Sequence, residues 1–222
     1  EYLVRRVRDA PEFRGLWDGP AWSAAEIAAI RHYRPEGSDH RPTAFAKALY
    51  DDDALYVHFL VRDDRGVRAV HTTPNSAVWC DSCAECFVQP RMDRGYFNLE
   101  MNCGGALLTY CVEDPTEVDG EMRAYTELPD ELLKTVRIYH SLPGRVEPEM
   151  PGPVTWQLEY AVPRALFETC TGPLGDWAGQ VWRGNFYKCG DETSRPHWGA
   201  WASVSAVNFH VPEEFGLFRF EE

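Results

Sequence analysis

Cys80, Cys83 and Cys86 carry the two-residue spacing of a metal knuckle. The stretch Cys83-Ala84-Glu85-Cys86-Phe87-Val88 reads as a strand, and side chains alternate along a strand, so Cys83 and Cys86 point to opposite faces. Structural zinc needs four convergent ligands, and no second paired cysteine cluster exists. Free thiols and no structural zinc are therefore expected. Cys189, in Cys189-Gly190-Asp191-Glu192, is followed by His197 and His210, which are the residue types of a thiol nucleophile and its base. No spacing puts either histidine within reach of the thiol. Asp81, Glu85 and Glu100 are the residue types of glycoside hydrolysis, in which one carboxyl donates a proton while the other attacks or activates water. The rival role for Glu85 is a hydrogen-bond acceptor from a sugar hydroxyl, which needs only ordinary acidity. No nucleophile elbow, phosphate loop, dinucleotide fingerprint or HExxH motif is present.

The tryptophans say more. Trp79 precedes the Asp81-Ser82 turn and the Glu85 strand, while Trp198 and Trp201 sit in a segment rich in Gly, Ser, Pro and His. A tryptophan in such a segment either packs in the core or offers a flat surface for the C–H face of a sugar ring. Asn, Gln, Glu and Arg side chains nearby, such as Glu85 and Asn98, then pair ring hydroxyls through directional hydrogen bonds.

These residues need a scaffold. Period-2 patterning over residues 55–61, 83–88, 96–103, 156–162 and 181–187 predicts strands. Tyr96, Asn98, Glu100 and Asn102 share one face of theirs, polar but free of lysine and arginine. Residues 44–50 and 55–61, joined by Asp51-Asp52-Asp53, read as a hairpin. Residues 1–16 read as a lead-in edge strand and loop. Ser23 and Glu26 fit a capping box, with helix and strand both open for the short segment that ends at Pro35. Arg164 to Phe167 suggests one helical turn, and Leu217 to Phe220 a closing strand. Short strands with irregular loops and little helix predict an all-β fold, an antiparallel β-sandwich of jelly-roll or immunoglobulin-like arrangement, with residues 1–222 as one domain.

Lys and Arg number 22 against 35 Asp and Glu, for a net charge of −13. That excludes nucleic acid and anionic membrane as default partners and suits a neutral ligand. No apolar run is long enough to span a bilayer, and no leader pattern is read at the start. Seven cysteines match no secreted disulfide framework, which favours a reducing, cytoplasmic compartment. Oligomeric state is not legible.

Several stretches carry a family resemblance. They are Trp17-Asp18-Gly19-Pro20-Ala21-Trp22, Lys47 to Asp51 with Asp53 to Val57, Trp79 with Asp81-Ser82 and Glu85, and Tyr96 to Glu100. They continue through Trp156, Leu158-Glu159 and Val162-Pro163 to Trp182-Arg183-Gly184-Asn185-Phe186-Tyr187-Lys188-Cys189-Gly190-Asp191-Glu192, then Pro196-His197-Trp198 and Asn208-Phe209-His210. In order and spacing the chain resembles the carbohydrate-binding modules of family 9, and more closely their stand-alone bacterial relatives. The resemblance implies a β-sandwich that binds a saccharide without cleaving it, one sugar clamped between two tryptophans. By position Trp79 is the first clamp with Glu85 its acceptor, Trp198 the second, and Trp201 the fallback. Arg183 and Asn185 lie on the strand leading to it. No cofactor is required, although xylanase-linked members carry structural calcium. Asp18, Asp63 and Asp64 are the oxygen donors here, without a compact calcium loop. The alternative is an enzyme on a sandwich scaffold, using the carboxylates or Cys189.

Overall fold

The computed structural model describes residues 1–119 and 121–222. The described residues form the strands β1 (Tyr2–Arg6), β2 (Ala28–Ile30), β3 (His32–Tyr33), β4 (Thr43–Tyr50), β5 (Ala54–Asp64), β6 (Val67–Ala69), β7 (Cys83–Gln89), β8 (Tyr96–Asn102) and β9 (Leu107–Leu108). Then come β10 (Tyr110–Val118), β11 (Glu121–Glu127), β12 (Arg137–His140), β13 (Val146–Met150), β14 (Val154–Pro163), β15 (Val181–Cys189), β16 (Trp198–Ala200) and β17 (Gly216–Phe220). Two short helices, α1 (Asp130–Leu133) and α2 (Arg164–Thr171), interrupt them. No described helix is long and apolar enough to cross a membrane.

Two sheets form a sandwich-like arrangement. One runs β11-β10-β8-β7-β15-β17 and the other β4-β5-β14-β12, with β2 added to β4. β1 joins them: Tyr2 to Val4 pair with β17, and Arg5 and Arg6 pair with β4, both in parallel. The expected edge strand is thus interior. The other pairings are antiparallel.

The β4–β5 hairpin shows how the sequence closes a turn. Asp51 Oδ1 accepts from the backbone N–H groups of Asp53 and Ala54, each at 2.9 Å, so the side chain stands in for a backbone turn. The β-branched and aromatic run from Leu55 to Val61 then alternates, with Leu55, Val57, Phe59 and Val61 in the inter-sheet core. They meet Trp156, Leu158 and Tyr160 of β14 and Trp182, Phe186 and Phe218 of the other sheet. Burying each such side chain contributes about 1.5–3 kcal/mol.

The capping box does not form. Ser23 Oγ donates back to Pro20 O at 2.9 Å, the segment makes one 3-10 turn at Trp22–Ala24, and strand β2 comes next. α2 runs past the expected single turn to Thr171, because Leu166, Phe167 and Thr171 all find buried positions.

The outer face of the first sheet is covered too. Phe87, Tyr96, Tyr187 and Cys189 pack against Val204, Phe209 and Phe215 of the loop between β16 and β17. Every residue of β7 and β8 is consequently buried. This outer layer also holds a group of polar side chains.

Candidate functional site

Strand register builds the site. On β7, Glu85 stands opposite Glu100 of β8 and opposite Tyr187 of β15, while Cys83 stands opposite Cys189. Directly paired residues share a face, so Glu85, Asn98, Glu100 and Cys189 all reach the outer face. The covering loop leaves an open cavity of about 470 Å³ there. These four residues line it, together with Trp79, Trp198, Asp191, Tyr110, Tyr125 and His210, among others. Among the described residues, no lysine or arginine does.

Both tryptophans are tied to one residue. The Asp191 backbone N–H donates to Trp79 O at 3.2 Å, and the Trp198 indole Nε1 donates to Asp191 Oδ1 at 2.8 Å. Trp198 opens β16 rather than sitting in a free loop, its backbone paired with Cys189 of β15. Trp79 lies in the 3-10 turn Val78–Cys80 and keeps 40% of its surface exposed. A tryptophan that open, beside a sheet otherwise buried, is a surface available for stacking. Tyr110 and Tyr125 extend the aromatic lining, their ring centroids 4.8 Å apart.

The floor is polar and acidic. Glu85 is 2% exposed and Glu100 4%. Burial, and then the neighbouring Glu100, pushes the Glu85 carboxyl well above the usual carboxylate range. Burial likewise pushes Glu100 up to about 7, against the opposing hydrogen bond from Asn98. The ordinary acidity expected of Glu85 does not hold where two buried carboxyls face each other across paired strands. The Cys189 thiol donates to Glu85 Oε1 at 2.9 Å, and Asn98 Nδ2 donates to Glu100 Oε1 at 2.9 Å. Asn98 Oδ1 accepts from Tyr110 N at 2.6 Å, which locks the amide's orientation. Asp191 is raised to about 6 by burial.

His210 faces this floor, with Nε2 at 3.9 Å from Glu100 Oε1. Its Nδ1 lies 2.7 Å from the Tyr96 hydroxyl. Burial lowers His210 to about 4 and raises the Tyr96 phenol, so the ring is neutral and the phenol keeps its proton. The phenol can donate to Nδ1 or accept from it, so the contact fits either neutral tautomer; in the one with Nδ1 accepting, Nε2 is a donor toward the cleft.

Four of the seven expected binding residues, Trp79, Glu85, Asn98 and Trp198, line this cavity. The other three do not. Trp201 packs on the inter-sheet core, with ring centroids 6.1 Å from Tyr2, 6.1 Å from Phe186 and 5.9 Å from Phe218. Asn185 shares the outer face but spends its amide on the loop: Oδ1 accepts from Ala202 N at 2.9 Å, and Nδ2 donates to Ala202 O at 2.9 Å. Arg183 sits further along β15, between Gln89 and Leu217 and away from the cavity lining. Sequence reasoning misses Asp191, His210, Tyr110 and Tyr125 as residues of the cavity lining. Only the placement of Asp191 and His210 in the family-like stretches hints at them.

The three aspartates expected to hold calcium do not converge. Asp64 is fully buried, accepts from Trp156 Nε1 at 2.8 Å, faces His40 Nε2 at 3.0 Å and lies 3.5 Å from Lys188 Nζ. Asp18 is exposed beside Lys47, at 3.6 Å. Asp63 is an exposed residue with φ of 57°. At Asp64 the indole and the Lys188 ammonium both lie on Oδ2, and His40 lies on Oδ1.

Of the residues of the hydrolytic and thiol alternatives, Glu85, Glu100, Cys189 and His210 share the cavity, while Asp81 and His197 lie outside its lining. Asp81 is engaged by Arg68 at 3.0 Å and by the backbone of Val70 and His71, outside the cavity lining. His197 is turned to Lys188 Nζ at 2.8 Å, and burial pushes the Cys189 thiol well up. A thiol so held is a poor nucleophile.

Residues 23–220 match the sequence model of carbohydrate-binding family 9. The chain belongs to carbohydrate-binding family 9. It is similar to a Bacteroides uniformis ATCC 8492 protein described as carbohydrate-binding, with 28% identity, a TM-score of 0.84, and coverage of 99% of this chain and 98% of that one. It shares its fold with a family 9 carbohydrate-binding module from Caldicellulosiruptor kristjanssonii, at 16% identity and a TM-score of 0.63. The cellotriose complex of that module is covered to 93% and its glucose complex to 95%, each over 99% of this chain. No curated protein matches the chain.

Proposed function

We propose that this family 9 protein binds a neutral saccharide, as a mono- or disaccharide or as the end of a longer glycan, between Trp79 and Trp198, and does not cleave it. The observation that carries this reading is the composition of the cleft. Two tryptophans tied to Asp191 stand over a floor of carboxyl, amide and imidazole groups, with no cation among the lining residues. A sugar presents apolar C–H faces and hydroxyls together. Stacking stabilises the first, and every buried hydroxyl needs a partner. Asn98 Nδ2 supplies a donor, while Glu85 and Glu100 supply acceptors. The absence of lysine and arginine disfavours phosphorylated or uronic ligands. The similar module, known in complex with glucose and with cellotriose, supports the same ligand class.

One ring buries little area and each exchanged hydrogen bond returns little net energy, so dissociation constants of about 1 μM to 1 mM are expected. The test is a thermal-shift screen of neutral mono- and oligosaccharides, read as a concentration-dependent rise in Tm. A protein stabilised by charged but by no neutral sugars would contradict the proposal.

A further inference from the structure

Three side chains at the cleft, Glu85 and Cys189 in its lining and Cys83 buried outside it, share a geometry that saccharide binding does not require. Cys83 of β7 and Cys189 of β15 are directly paired across the antiparallel ladder. Glu85, two residues along β7, points to the same face. The Cys83 Sγ, the Cys189 Sγ and a Glu85 carboxylate oxygen all lie within 4.8 Å of one another, the one such group among the described residues. Zinc bonds of about 2.3 Å to sulfur and about 2.0 Å to oxygen put tetrahedral ligand atoms roughly 3.5–3.8 Å apart. The present thiol–carboxyl contact of 2.9 Å would open by only about 0.6 Å to reach that spacing.

From this arrangement we infer that Cys83, Glu85 and Cys189 form a binding site for Zn²⁺, with three protein ligands and a fourth position open to the cleft. Two thiolates and a carboxylate are the ligands of a thiophilic, four-coordinate cation rather than of calcium or magnesium. All three residues are buried on strands, so the site is rigid, and Glu85 and Cys189 also line the cavity, which provides an entry path. Glu100 and Asp191 add acidic groups around it, and the Lys188 ammonium is held 3.5 Å from the buried Asp64. Each thiol gives up its proton to solvent on binding, as does the Glu85 carboxyl when protonated. The cation replaces those protons and no electron moves. The knuckle spacing Cys80, Cys83, Cys86 is not this site: Cys83 faces the outer layer and Cys86 the inter-sheet core. The second sulfur comes from a distant strand, which sequence spacing could not show.

Glu85 takes part in both readings, but the metal readout needs no sugar. The reduced 222-residue chain is titrated with Co²⁺, followed by Zn²⁺. One equivalent of Co²⁺ should give thiolate-to-cobalt charge-transfer absorption and tetrahedral ligand-field bands, both displaced by one equivalent of Zn²⁺. Cys83→Ser and Cys189→Ser should each lose most of the charge-transfer intensity, and Glu85→Gln should weaken Co²⁺ binding at least tenfold. Cys86→Ser, confirmed as folded by circular dichroism, should keep the full spectrum. A wild-type spectrum of aquated cobalt only, or thiolate bands that survive in Cys189→Ser, would overturn the site. A normal cobalt titration from a protein that binds no sugar would fail only the saccharide reading.

Discussion

Replacing Asp191 should weaken ligand binding through Trp198 rather than through the ligand itself. The Asp191 carboxylate accepts from the indole Nε1 at 2.8 Å, and its backbone N–H, which any substitution keeps, donates to Trp79 O. Asp191→Ala frees the indole to rotate. Binding must then immobilise that side chain, at a cost of about 0.5–1.5 kcal/mol, which is a loss of roughly 2- to 13-fold in affinity. Asp191→Asn removes the charge but keeps an acceptor oxygen, so its affinity should stay within about twofold. Isothermal titration with a saccharide identified by the thermal-shift screen reads both variants. The deciding experiment is the double-mutant cycle. In a Trp198→Phe background, which has no indole N–H, Asp191→Ala should change the binding free energy by no more than about 0.3–0.5 kcal/mol. A full, additive loss in that background would show that Asp191 acts on the ligand directly and would refute the positioning argument.

Trp201→Ala should destabilise the fold by about 3–5 kcal/mol, read as a drop in urea midpoint, while the folded fraction binds saccharide normally, because its ring packs on Tyr2, Phe186 and Phe218. Burial pushes His58 down to about 4 and His197 down to about 3, so both should be neutral in the folded protein at pH 5.5 by imidazole NMR titration. Their unfolded forms take up a proton below about 6.5, so each withdraws stability as pH falls from there toward its folded value, by about 1.4 kcal/mol per pH unit at most. Titration of either ring near 6.5 would contradict that burial. Glu85 and Glu100 should release no reducing sugar from an oligosaccharide panel; release abolished by Glu85→Gln would decide for hydrolysis.

Much of the scaffold is legible because alternation is a local property. The β4–β5 hairpin, the β7, β8, β14 and β15 strands and the shared face of Asn98 and Glu100 all arise from period-2 patterning and an aspartate turn. What fails is whatever depends on distant partners. β1 looks like an edge strand by position, but β17 arrives from the far end of the chain to pair with it. Trp198 and Trp201 are near neighbours in similar company, yet Trp198 lines the cleft and Trp201 packs on the inter-sheet core. Asn185 has the chemistry of a sugar ligand, but the loop at Ala202 claims it first. The acidity of Glu85 escapes a local reading for the same reason. Its shift arises from burial and from a carboxyl on the next strand, neither of which is visible along β7.

The central claim is that Trp79 and Trp198 hold the saccharide between them. Titrating one neutral saccharide against wild type, Trp79→Ala and Trp198→Ala tests it directly. A central stacking residue is worth about 2 kcal/mol or more, so Trp79→Ala should lose roughly 30-fold or more in affinity, more than any single polar substitution in the cleft, and Trp198→Ala should also lose affinity. Unchanged affinity in both variants, each folded, would contradict the clamp.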